Sequence, residues 1–350
     1  MAYTTINKSG DYFNTKLYTG GSGDTAHTGV GFQPDLVWIK ERTRTRNHAW
    51  FDVIRGSRYW IGSNSTDAQD YNTGAYLVSF DSDGFTTTDS DVVGKNGYTY
   101  ASWNWKANGA GSANTDGSIS STVSANTTSG FSIVKWTPTN TNTPQTIGHG
   151  LGVAPSMIIV KNIQRAVDWK VYHKSIGNTH ALTLNGTNAK HDDTGYWEDT
   201  TPTSTVFTTG NGSGYTVGAV TENFIAYCFA EKTGYSKFGS YTGNGNADGV
   251  FVYTGFKPAY VTIKRTNATS DWHHFDNKRG DPVNNGGWDY LKLNDSGVEG
   301  TASGRVDFLS NGFKLRYATG NLNEDGDSFI YNSFAEAPLV GTNGVTAKAR

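Results

Sequence analysis

Two carboxylate pairs, two histidine–aspartate groupings and one thiol are the residues of this chain equipped for chemistry. Asp81 with Asp83, and Asp192 with Asp193, are the paired acids. A glycoside hydrolase needs such acids across one groove at a set separation, and neighbours in sequence offer no such groove. Asp81-Ser82-Asp83-Gly84 begins like a calcium loop but lacks the later ligands, the terminal glutamate included, so it reads as a turn. His273-His274 with Asp276, and His48 with Asp52, suggest metal ligands at first sight. Adjacent histidines on a strand point to opposite faces, so only His274 and Asp276 share a side. Without further ligands at known spacing, both groupings are expected on ordinary surface strands. Cys228 is the single cysteine; it lies in the apolar run Phe224 to Phe229, where a buried, inert thiol is expected. No nucleophile elbow, phosphate loop or zinc-protease motif occurs. The expectation is a protein without a catalytic constellation, metal or cofactor.

The elements that position these residues are set by an internal repeat. Gly-x-x-Pro followed by an apolar strand occurs three times: Gly31 to Lys40, Gly152 to Lys161 and Gly255 to Lys264. Each lysine lies six residues after its proline, and a solvated strand end is the expectation for all three. An aromatic follows each proline at seventeen residues (Phe51, Tyr172, Phe275) and a glycine at twenty-two (Gly56, Gly177, Gly280). Asn64 and Asn185 come thirty residues after theirs, and Asn294 comes six later because Asp281 to Gly287 enlarges a loop. Phe80…Phe85, Phe207…Tyr215 and Phe308…Phe313 flank glycine-containing turns. Each copy opens near an aromatic (Tyr18, Trp136, Tyr241) and closes on an aromatic strand. The Arg279-Gly280-Asp281 tripeptide is matched by Arg55-Gly56-Ser57, so Arg-Gly belongs to a repeated turn rather than an adhesion motif.

Composition agrees with strands. Glycine is 43 of 350 residues and aromatics are 13%, with charged residues at only 17%. Such chains form short strands and many turns rather than helices. The net charge of −2 gives no general drive toward nucleic acid, and no apolar run reaches the length of a membrane helix. The start at Met1 shows no secretory signal, so synthesis in a cytosol is expected. Each repeat holds about seven short strands, the signature of a sandwich. The expectation is an all-β chain of three tandem β-sandwich (jelly-roll or concanavalin-like) modules: 1–107 with an N-terminal attachment segment, 131–233, and 234–350 with a C-terminal tail. Residues 108–130, rich in Gly, Ser, Thr and Asn, form a linker or an extended strap.

Rings that recur in all three copies are core. Those without a counterpart are Trp60 and Tyr71 in the first repeat, Tyr196 and Trp197 in the second, and Trp288 in the third. Such rings, flanked by Asn and Asp, suit sugar recognition, and these five are the candidate ligand-binding residues. Packing between modules or subunits is the competing reading.

Several long stretches carry a resemblance. They are Thr4 to Ser9, Gly31 to Lys40, Ser79 to Phe85, Tyr235 to Gly245 and Phe334 to Gly341. Together they resemble the repeat-containing, tail-fibre-like structural proteins of tailed, often marine, bacteriophages. The resemblance implies a non-enzymatic virion component, a tail fibre or adhesin subunit contacting host-surface glycans, or a head decoration protein. A glycan depolymerase is the third alternative. The partners implied are other virion proteins, further copies of the chain (a trimer being the favoured homo-oligomer) and host glycan, at the virion surface.

Overall fold

A chain this rich in threonine, aromatics and glycine must satisfy its backbone by pairing strands. A computed structural model describes residues 4–340 except 140–142, 211–216, 220, 281–288, 302–304 and 319. The first repeat carries β1 (Phe13–Thr19), β2 (Thr25–Thr28), β3 (Leu36–Glu41), β4 (Ala49–Asp52), β5 (Tyr59–Trp60), β6 (Asp70–Tyr71), β7 (Leu77–Asp81), β8 (Gly84–Thr87) and β9 (Thr99–Trp105). The second carries β10 (Ser112–Asn114), β11 (Ser121–Asn126), β12 (Phe131–Trp136), β13 (Gln145–Gly148), β14 (Met157–Asn162), β15 (Lys170–His173), β16 (His180–Thr183), β17 (His191–Asp192), a four-residue helix α1 (Thr194–Trp197), β18 (Val206–Thr209) and β19 (Phe224–Phe229). The third carries β20 (Ser236–Thr242), β21 (Phe251–Tyr253), β22 (Phe256–Arg265), β23 (Trp272–Asp276), β24 (Tyr290–Lys292), β25 (Val306–Leu309), β26 (Gly312–Leu315) and β27 (Ser328–Pro338). The fold is all-β.

Each repeat has one long sheet and one short sheet. The long sheets run β1-β9-β3-β4, β10-β11-β12-β19-β14-β15-β16-β17 and β20-β27-β22-β23-β24. The short ones run β2-β8-β7, β13-β18 and β21-β26-β25. In every long sheet the repeat's closing strand lies between its opening strand and its Gly-x-x-Pro strand. The opening and closing aromatics stack across that pair in all three copies: Tyr18 on Tyr100 at 5.2 Å, Trp136 on Phe224 at 5.4 Å, and Tyr241 on Phe329 at 5.0 Å. Phe80 and Phe308 pair across their turns with Phe85 and Phe313, while Tyr215 lies outside the described residues. Gly56, Gly177 and Gly280 all have φ between +80° and +102°, which explains the glycine at that offset.

The Gly-x-x-Pro strands are apolar at consecutive positions because both faces are covered. One face meets the repeat's own short sheet: Val37, Ile39 and Phe51 in one cluster, Ile158, Val160 and Tyr172 in another, Val261, Ile263 and Phe275 in a third. The other face meets the other two repeats. Leu36, Trp38 and Trp50 join Met157, Ile159 and Val171, together with Tyr260 and Trp272, in one shared core. Trp105, Phe229 and Phe334, which hold the same register in their three sheets, form a triangle with centroid separations of 6.2, 5.7 and 5.9 Å. The three repeats therefore close around a pseudo-threefold axis, with a void of about 20 Å³ beside that triangle.

The joints between repeats follow the same cyclic rule. The Asn64, Asn185 and Asn294 side chains accept the backbone N–H of His48, Trp169 and Trp272 at 2.8, 2.9 and 2.8 Å. Those three rings reach into the neighbouring repeat, donating to the carbonyls of Lys292, Gly62 and Thr183 respectively. Backbone bonds repeat the pattern: Gln69 to Ile163, Lys190 to Thr266 and Glu299 to Arg42.

Four sequence expectations are corrected by this arrangement. Lys40, Lys161 and Lys264 are fully buried rather than solvated. The Lys161 ammonium donates to the carbonyls of Thr66, Arg165 and Val167, and that of Lys264 to Thr187 and Ser270. Burial pushes each of the three down to about 8. His48, Asp52, His273, His274 and Asp276 are also buried, because their strands lie between two cores. Within 108–130, β10 and β11 extend the second repeat's sheet, so this stretch is no free tether. The proposed attachment segment is packed as well: Ile6 lies in the shared core and β1 pairs with β9.

Candidate functional site

Most of the groups that could do chemistry are held by the joints. Arg55 and Arg279 clamp Asp52 and Asp276 at 2.5 and 2.6 Å, and each guanidinium also reaches a carbonyl of its own repeat, Trp50 or His274. Each carboxylate takes one further donor from the next repeat: the Tyr227 hydroxyl at 2.8 Å and the Trp103 indole at 2.9 Å. Burial pushes the Asp276 carboxyl up, but the Arg279 charge and His274 outweigh it and hold it well below the usual carboxylate range. In the second repeat His173 stands at the matching place and donates to the carbonyl of Tyr331. His274 stacks edge-on against Trp103 at 4.2 Å and points away from His273, as alternation on a strand requires.

The paired acids serve local structure. Asp81 accepts from the Ser79 and Thr86 hydroxyls, and Asp83 from the N–H groups of Gly29 and Gly31. Asp193 caps α1 through the N–H of Gly195, while Asp192 is exposed. Cys228 is buried, and burial pushes its thiol well up. Arg279 of the Arg-Gly-Asp tripeptide is buried, and Asp281 lies outside the described residues.

The five candidate aromatics do not form one site. Tyr196 and Trp197 are 7% and 1% exposed, which removes them from the surface. Trp197 donates to the carbonyl of His180 and meets Tyr172 edge-on. The cause is the short sheet: two strands cannot cover an eight-stranded partner, and α1 fills the missing layer. Trp60 plays a similar part in the first repeat, donating to the His48 carbonyl and packing on Tyr76 at 5.7 Å. Tyr71 is exposed on the β5–β6 ribbon beside Tyr59, at 4.7 Å. Trp288 lies outside the described residues.

One outward aromatic pair among the described residues was missed by the sequence reading. Phe251 and Tyr253, 44% and 53% exposed, flank the buried Val252 on β21, the edge strand of the third short sheet. Residues two apart on a strand share a face about 7 Å apart, so the rings form one platform. Gly312 opposes Tyr253, and a Cβ there would come 3.1 Å from the Phe251 ring. The border is ionic: Lys314 and Arg316 each reach Asp248 at 2.7 Å, and Arg316 reaches Asp307 at 2.6 Å. Those cations hold the Asp248 carboxyl below its ordinary value, Lys314 foremost. Nearby, the Arg305 guanidinium lies over both Tyr290 and the exposed Tyr317, at 4.7 and 4.8 Å.

Comparison of the repeats supplies the signal that could have found this platform. The matching first strand of the short sheet carries Ala26 and Thr28 around His27, and Thr146 and Gly148 around Ile147. In the second repeat the 117–121 segment lies along that strand, through the Ile119–Ile147 bridge and bonds from Ser118 and Ser121. The third repeat places two large rings there instead.

Residues 8–338 match a family model described as Domain of unknown function (DUF7483). No curated protein and no solved structure matches the chain.

Proposed function

The chain belongs to that family of unknown function, and from that starting point we propose that it is a non-enzymatic structural protein on the outside of a tailed-phage particle, a tail-fibre or adhesin subunit whose third repeat contacts host-surface glycan. The observation that carries this reading is the exposed Phe251–Tyr253 pair on a strand that ends its sheet among the described residues. Its core needs only Val252 at that strand, so the two rings answer to something outside the fold. Pyranose C–H faces stack on such rings, while neighbouring charged groups read hydroxyls; Asp248, Lys314 and Arg316 stand ready for that role. The closed architecture suits the task, because three repeats sealing one core leave each long sheet covered on both faces. Other virion proteins are the remaining partners, and one chain already achieves the threefold closure that a trimeric fibre reaches by association.

The test is adsorption of the purified chain to bacterial cells and to their isolated envelope polysaccharide, beside Phe251→Ala/Tyr253→Ala. The double variant is expected to lose at least about tenfold in binding, since stacking platforms of this kind contribute a kcal/mol or more per ring. Equal adsorption by both proteins, or none by either, would overturn the reading. Gold-labelled antibody on intact particles separates a tail position from head decoration.

A further inference from the structure

The pseudo-threefold arrangement makes each joint a control for the other two, and one joint carries polar side chains that the fold does not use. In the second repeat a cleft of about 440 Å³ opens beside the Thr183–His191 segment, lined by Asp168, Lys170, Thr183, Asn188, Lys190 and His191. That volume falls within the range of small-ligand sites. Part of the lining is internally paired. The Lys170 ammonium, nearly buried over the Tyr196 ring, donates to Thr183 at 3.1 Å and to Asp168 at 3.3 Å, and Asn185 donates to the other Asp168 oxygen. The Lys170 and Asp168 charges thus cancel within the wall. The rest of the lining is not paired: the Asn188 amide, the Lys190 ammonium and the His191 ring nitrogens form no hydrogen bond or ion pair with the described residues, and the His191 ring rests edge-on against Tyr196 at 5.3 Å.

A matching cleft of about 290 Å³ opens in the third repeat beside Lys292, but there Gly297 and Gly300 stand where the second repeat has Asn188 and His191. Counting from the shared asparagine, Asn188 and His191 match Asp67 and Asp70 in the first repeat; these accept the Ser65 and Tyr76 hydroxyls. Lys190 matches Glu299 in the third, which is clamped by Arg42 and Arg279. The Gln69 amide oxygen, at the place of Lys190 in the first repeat, is also buried without a partner among the described residues, but only the second repeat brings an unpaired amide, ammonium and imidazole together around its cleft.

We infer that this cleft is a second, separate binding site, and that its ligand is an acidic saccharide: a pyranose unit bearing one carboxylate. The single uncompensated charge in the lining is the Lys190 ammonium, which matches one negative charge rather than a polyanion. The exposed Asp168 carboxylate, the Thr183 hydroxyl and the Asn188 amide offer acceptors and donors side by side, as neighbouring sugar hydroxyls demand. Lys190 holds the carboxylate, and Asn188 with Asp168 reads the ring hydroxyls. Asp192, one residue along β17 from His191, faces the opposite side of the strand and does not oppose the anion.

The test is calorimetric titration of the full chain with three probes: a glucuronic-acid-containing disaccharide, its uncharged glucose analogue and inorganic phosphate. The uronate is expected to bind, the neutral sugar to bind at least about tenfold more weakly, and phosphate not to compete at equal concentration. Lys190→Gln should weaken the uronate by roughly tenfold and leave the neutral sugar unchanged, with the melting temperature held because the ammonium has no internal partner. Equal uronate affinity in wild type and Lys190→Gln, no uronate binding, or phosphate displacing the uronate would each overturn the inference. Phe251→Ala/Tyr253→Ala separates the two sites. Loss of cell adsorption with an intact uronate isotherm leaves this site standing beside the aromatic platform. Retained adsorption with no uronate isotherm removes this site alone.

Discussion

Two joints of the ring use a buried ion pair where the third uses a neutral ring. At the contact of the first repeat with the second, Asp52 and Arg55 meet the Tyr227 hydroxyl; at the contact of the third with the first, Asp276 and Arg279 meet the Trp103 indole. At the contact of the second with the third, His173 donates to the Tyr331 carbonyl, and Ile176 takes the arginine's place. The backbone course is the same in all three, so geometry did not dictate the chemistry. The difference shows what this position must do: receive or supply one hydrogen bond across a dry boundary. A carboxylate does so only if a guanidinium cancels its charge, whereas an imidazole does so by staying neutral. The contact of the third repeat with the first extends its ion pair furthest, since Arg279 also meets Glu299, which bridges to Arg42 in the first repeat.

The largest expected effect follows from that extension. Asp276→Ala leaves the Arg279 guanidinium without its closest counter-charge in a fully buried place, and loss of one partner from such a pair costs about 3–5 kcal/mol. His173→Ala removes one hydrogen bond and some packing and leaves no stranded charge, so a cost of about 1–3 kcal/mol is expected. Denaturant midpoints of the two variants measure the gap directly. Equal losses would mean that the joints hold by packing alone and that the polar difference is incidental.

Much of this ring was legible in the sequence, and the illegible part has a common cause. The constant offsets of Phe51, Tyr172 and Phe275 marked three equivalent units, and the structure gives Asn64, Asn185 and, past its enlarged loop, Asn294 the same bond. Consecutive apolar residues such as Val37-Trp38-Ile39 showed that both strand faces are covered. They could not show that the second cover is another repeat rather than a second sheet of the same one. Lys161 and Lys264 ended their strands in the expected register. The Thr66 and Thr187 carbonyls that hold them, however, come from 95 and 77 residues away, and no local pattern encodes that. Tyr196 and Trp197 lacked counterparts for a packing reason, the narrow β13–β18 sheet, which only the strand count reveals. Phe251 and Tyr253 lacked counterparts too, and aligning the repeats strand by strand would have exposed them.

Acid sharpens the contrast between joints. Burial pushes His173 down to about 3 and His274 to about 4, while an unfolded histidine titrates near 6.5. The unfolded chain therefore takes up protons first as the pH falls. The stability these neutral rings carry is complete above about pH 6.5 and is lost progressively toward pH 4, at about 1.4 kcal/mol per pH unit for each ring. Asp276 works in the other range: its folded value lies below that of a free carboxyl, so its share is lost only below about pH 4. Thermal melts from pH 7 to pH 4 should show a steady decline that His173→Gln makes shallower, because one titrating ring is gone while a donor to the Tyr331 carbonyl is kept. An unchanged slope in that variant would place the acid sensitivity elsewhere.

The smallest expected effect lies on the outside. Phe251→Ala alone is expected to move the denaturant midpoint by no more than about 0.5 kcal/mol, as exposed positions do. Phe329→Ala, on β27 of the same repeat's long sheet, removes a ring stacked on Tyr241 inside a sealed cluster and should cost about 3–5 kcal/mol. The ratio of those two numbers separates what the fold needs from what it merely displays. If Phe251 proved as costly as Phe329, the platform would be part of the third repeat's core, and its departure from Ala26 and Thr146 would need no partner outside the chain.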